Sequence, residues 1–182
     1  MKIESLRDLY VDQLRDLYNA EQQLIKALPK MAKASSSEEL RVAFEGHLGQ
    51  TKQHAQRIET IFEQMGEKVS GKKCKAMEGL VKEGSETIEE DMADGIKDAA
   101  IIAAAQRVEH YEIAGYGCVH AYATRLGDEN AASLLEQTLQ EEKKADELLN
   151  GIAEQLNLEL PEESGQSEKR SSKSAGQRKS AA

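Results

Sequence analysis

In the stretch AAQRVEHYEIAGYG, from Ala104 to Gly117, Glu109 and Glu112 fall one helical turn apart on the face expected to be buried. Carboxylates rarely go inside a protein unless something pairs with them. Three other helix-forming segments supply polar groups at the same level: Glu21 between Leu17 and Leu24, Gln50 with His54, and Glu142 with Asp146. Residues three or four apart share a helix face, so every pair can converge on one centre. Oxygen and imidazole donors in this arrangement suit two divalent metal ions, iron favoured over manganese. Five carboxylates (Glu21, Glu109, Glu112, Glu142 and Asp146) crowded in a core would repel one another and lose their hydration. Two divalent cations would bring the cluster close to neutrality.

Taken singly, each of these residues has a plainer reading: a lone Glu is a solvated surface charge and a lone His a structural one. Their coincidence at one level of four segments carries the metal hypothesis. Around it, Tyr18 and Tyr116 flank the carboxylates within about a turn, where they can hydrogen-bond to them or pack in the core. His47 is a neighbour of the centre and a substitute ligand for Gln50, as is Gln53; His110 faces sideways or touches a ligand from outside. His120, eight residues past Glu112, lies about 12 Å further along a helix and is excluded. No catalytic residue is assigned.

The elements that must position these groups read as helices. Apolar residues recur at helical spacing from Leu6 to about Lys33, continuing past Pro29, where a kink is expected. SSSEEL then opens a second helix from Glu38 to about Gln64, with Ser36 and Glu39 spaced as a capping box. Residues 66–95 hold five glycines and a short helix around CKAMEGLVKEGSETIEE. A third long helix is expected from Asp94 to Leu126, stopped by Gly127, and a fourth from Glu129 to about Leu156, capped by Asp128. Two tight hairpins and one long central crossover give an all-α, ferritin-like four-helix bundle over residues 1–160, with an extra short helix in the crossover between helices two and three. The hairpins repeat faintly at an offset of 91–92, setting Glu21 near Glu112, Gln50 on Glu142 and His54 on Asp146.

From Pro161 the hydrophobic period vanishes, and residues 161–182 read as a disordered, weakly basic tail of net charge +2 beside a body of −11. That balance argues against nucleic-acid binding, including DNA protection through the tail. Two distant cysteines exclude a disulfide framework or thiolate zinc site, and no apolar run is long enough to span a membrane. The charged opening MKIESLRDLYVDQLRDLY is unlike a signal peptide, so the cytoplasm is the expected location.

The segments LYNAEQQLIKALPKMAKA, KCKAMEGLVKEG, AAQRVEHYEIAGYG and LGDENAASLLEQTLQEEKKAD resemble the bacterial YciE/YciF-type proteins, a ferritin-like family linked to stress responses. The resemblance covers about residues 3–156. It implies a rubrerythrin-like dimetal centre in a four-helix bundle, and a homodimer. Two departures stand out: Gln50 occupies a place expected to hold Glu, and Gln50/His54 and Glu142/Asp146 are four apart where dimetal bundles use Glu-x-x-His. The leading functional expectation is a di-iron carboxylate protein handling iron, peroxide or oxygen under stress. The alternative is a non-enzymatic stress protein whose metal is structural and whose bundle binds a protein partner.

Overall fold

The computed structural model describes residues 2–69 and 71–160; the expected tail, 161–182, lies outside them. Five helices follow in order: α1 (Leu6–Ala34), α2 (Glu38–Met65), α3 (Lys75–Glu89), α4 (Asp94–Leu126) and α5 (Glu129–Glu159). α1 packs on α2 and α4 on α5 as the two hairpins, and the crossover helix α3 lies against α1 and α4. This is the ferritin-like bundle with one added helix. Among the described residues, no helix is long and apolar enough to cross a membrane.

Local chemistry fixes the ends. Ser5 and Asp8 form a reciprocal capping box at the start of α1, each side chain accepting from the other's backbone N–H. Ser36 does not cap α2 as its spacing with Glu39 predicts; Ser37 does, its hydroxyl accepting from Leu40 N–H. Ser36 is drawn instead to the buried Asp98 of α4, whose carboxylate accepts from the N–H groups of Ser36 and Ser37 and from the Ser36 hydroxyl. A carboxylate arriving from α4 thus serves the α2 N-terminus, where negative charge is favoured. Gly66 and Gly127 end α2 and α4 in the left-handed conformation, at φ 68° and 77°. Asp128 caps α5 as expected, accepting from Ala131 N–H at 3.0 Å. α1 runs through Pro29, and Leu28, Met31 and Ala32 continue its buried stripe.

The core is divided in two. One apolar cluster gathers Leu24, Leu28, Leu40, Phe44, Ile101, Ile102, Leu149 and Ile152, with Met77 of α3. The other gathers Leu14, Leu17, Ile58, Ile61, Phe62, Tyr116, Val119, Leu135 and Leu139. Between them each long helix crosses one polar level: Glu21 after Leu17, His47 to His54 after Phe44, Glu109 and Glu112 before Tyr116, Glu142 after Leu139. Dry packing above and below keeps water from those groups and makes their charges costly.

Candidate metal centre

Glu21, His54, Glu112 and Glu142 have no exposed surface, and Glu109 and His47 are buried beside them. They converge in two groups, each with ligand atoms all within 4.8 Å of one another: Glu21, His54 and Glu142, and His47, Glu109, Glu112 and Glu142. Glu142 belongs to both. His54 Nδ1 lies 2.9 Å from Glu142 Oε1 and 3.7 Å from Glu21 Oε1. His47 Nε2 lies 3.4 Å from Glu109 Oε1 and 3.7 Å from Glu142 Oε2.

Each imidazole is held from behind. His54 Nε2 meets Glu141 at 2.9 Å, and Arg57 binds both oxygens of that carboxylate at 2.6 and 3.0 Å. Burial pushes the Glu141 carboxyl up, but the Arg57, His54 and Gln137 hydrogen bonds overcome it and hold the group at about 2. His47 Nδ1 is 3.3 Å from Gln50 Oε1. Both rings therefore turn one nitrogen to the centre and anchor the other, as metal-binding histidines do. Sequence reasoning missed Glu141, and the signal was Arg57, one turn past His54 on the same face.

The remaining expected residues disperse around this core. Gln50 is half-buried behind His47, and Gln53 is exposed. Tyr116 donates to Glu21 Oε1, whereas Tyr18, half-buried on the α2 side of α1, donates to Glu59 at 2.6 Å. Asp146 and His110 sit together at the outer edge of α4 and α5, 3.3 Å apart, with His110 exposed. At an offset of 91, Glu21 matches Glu112 and Thr51 matches Glu142. Thr51 is fully buried with its hydroxyl on the His47 carbonyl, so it, and not Gln50, occupies the inward place on α2. α2 compensates with two histidines and α4 with two glutamates.

The cluster carries an electrostatic load. Glu21 is pushed up to about 8 by burial and then by Glu142; Glu142 is likewise pushed up to about 8 by burial and then by Glu109. Glu109 is raised, and Glu112 well raised, chiefly by burial. Each of the six side chains has a buried nitrogen or oxygen without a hydrogen bond, and Glu112 and Glu142 each have two. Buried polar atoms in folded proteins are almost always satisfied, so so many orphans facing one point fit an ion. A cavity of about 120 Å³ between α2 and α5, walled by Ala43, Phe44, Leu148 and Leu149, opens on His47 and Glu109.

Known proteins add context to this geometry. Residues 5–160 match the family model described as "Domain of unknown function (DUF892)". The Escherichia coli (strain K12) protein YciF is 45% identical over 154 residues, covering 84% of this chain and 93% of that one. The crystal structure of the E. coli stress protein YciF superposes with a TM-score of 0.84 at 43% identity, over 87% of this chain and 100% of that one. YcfI, a putative structural protein from Rhodopseudomonas palustris, gives 0.79 at 43% identity, over 82% and 95%. A dodecameric thioferritin from Bacteroides fragilis gives 0.66 at 15% identity, over 85% and 89%, a likeness of fold.

Proposed function

The chain belongs to the DUF892 family, and from that membership and the buried cluster we propose a dinuclear carboxylate metalloprotein handling iron, peroxide or oxygen under stress. Glu21, His54 and Glu142 would hold one divalent ion and His47, Glu109, Glu112 and Glu142 a second, with Glu142 shared. The observation that carries this reading is the set of orphaned buried atoms on these six side chains. Their four carboxylates also match the four positive charges of two divalent ions. Donors restricted to oxygen and imidazole favour iron or manganese, and iron suits redox work.

When bound, such ions supply electrons and open coordination positions for peroxide or oxygen. The chain's own residues do the rest. Tyr116 orients Glu21, the Glu141–Arg57 pair orients His54, and Gln50 orients His47. Gln50, expected from sequence to bind metal itself, is assigned this supporting role. The cavity beside His47 admits a small solute, while the apolar clusters keep bulk water away. The same reading takes the unit as a cytoplasmic homodimer, and the stress role follows the description of YciF.

A second reading, a non-enzymatic protein with a structural metal and a protein partner, draws on the description of the R. palustris relative as a putative structural protein. Peroxide consumption by anaerobically loaded protein separates the two. Consumption that is stoichiometric with iron oxidation, and repeats after re-reduction, supports the first. Metal that stays bound and inert to peroxide supports the second.

A further inference from the structure

We propose that divalent ions reach the centre through a separate surface site on the α4–α5 seam, made by His110 and Asp146 and leading to Glu109; this rests on the metal-centre reading above. The seam's register is fixed by Gln106 Nε2 donating to Asn150 Oδ1 at 2.6 Å. One turn along, His110 Nε2 and Asp146 Oδ1 stand 3.3 Å apart. Asn150 Nδ2 donates to Asp146 Oδ2 at 3.3 Å, which leaves Oδ1 buried and without a hydrogen bond. Glu109 Oε2 is an orphan of the same kind. Side-chain exposure falls from 70% at His110 to 16% at Asp146 and 4% at Glu109. The three thus form a graded series of imidazole and carboxylate donors from solvent to cluster. Asp146 is one turn past Glu142 on α5, and its charge is felt at Glu109.

The α2–α5 cavity, in contrast, carries a cation among its lining residues. Lys144 stands at the rim of the α2–α5 cavity and makes no ion pair among the described residues. It is two residues from Asp146, about 200° around the helix at 3.6 residues per turn. An ammonium there repels divalent ions, whereas Asp146 attracts them. The two sides of α5 therefore divide the traffic, with cations on the seam and small solutes through the cavity. One imidazole and one carboxylate make a weak site, suited to passing an ion on.

The test is stopped-flow mixing of metal-free full-length protein with cobalt(II), following the visible bands that report its ligands. Asp146→Asn is expected to slow uptake about tenfold, within the range that removing focused charge costs, and His110→Ala to slow it severalfold by removing a nitrogen donor, each with unchanged final amplitude. Rising salt should slow the wild type more than Asp146→Asn. Lys144→Ala should leave the rate unchanged or raise it slightly. Wild-type rates in both seam variants overturn the route. A lower final amplitude in Asp146→Asn overturns it too, by making Asp146 a ligand of the centre itself. A wild-type chain that takes up no cobalt refutes the metal centre and the route together, and so is distinguishable from either.

Discussion

Both carboxylate oxygens of Glu112 are buried without a hydrogen bond, and Glu21 and Glu142 beside it are held protonated up to about pH 8. The linkage has a definite sign. These groups titrate higher in the folded chain than in the unfolded one, so their contribution is fully present below the usual glutamate value and is lost as pH rises through about 8. Metal-free protein should therefore melt at a lower temperature at pH 8.5 than at pH 5. Each such carboxyl costs about 1.4 kcal/mol per pH unit within that window. Bound metal reverses the trend, because protons compete with it for the same oxygens. Glu112→Leu should flatten the metal-free dependence and raise that melting temperature, since an apolar contact replaces a stranded carboxyl. Paired melting curves with chelator and with ferrous ion check both; a metal-free protein indifferent to pH would mean these carboxyls are satisfied. At this scale much was legible. Glu21, His54, Glu109, Glu112 and Glu142 announced themselves by sitting on leucine-bearing faces at one level. The choice between Gln50 and His47 was not, because both lie near the inward seam and only the rotation of α2 in the bundle decides which reaches the centre. Asp146 likewise shares a face with Glu142 but lies one turn nearer solvent.

Helix ends and helix contacts obey the same division between local and tertiary causes. Gly66, Gly127 and Asp128 could be read from the chain because their roles need only neighbours in sequence. Ser36 could not, because its partner Asp98 is 62 residues away on another helix. Glycines on the long helices show the contrast in energetic form. Gly49 of α2 has nothing near where a Cβ would stand, so Gly49→Ala should stabilise by about 1 kcal/mol, the helix-propensity difference. At Gly115 of α4 a Cβ would come within 2.7 Å of Leu17 Cδ2 on α1, one turn from Glu21 and packed in the core. Gly115→Ala should lose stability by about 1 kcal/mol, because overpacking outweighs the propensity gain. Urea unfolding of the two variants measures the pair. A stabilised Gly115→Ala would show that α1 and α4 can part without cost at the level of the centre.

Over the whole molecule, the bundle places a wet-chemistry layer between two dry ones. The four-helix pattern, its long crossover and α3 were readable because strongly periodic segments and a glycine-dotted connection survive any tertiary adjustment. The reaction was not, because a fold of this class hosts many functions and only the bound ions would distinguish them. Glu142 is the hinge of the proposal, being the one residue common to both groups of ligands. The decisive measurement is an anaerobic titration of metal-free protein with ferrous ion, run on wild type, His54→Ala and Glu142→Ala. The expected result is two ions per chain in the wild type, one retained by His54→Ala, and neither held tightly by Glu142→Ala. Wild-type protein that binds no iron, or binding that survives Glu142→Ala unchanged, would contradict a shared dinuclear centre.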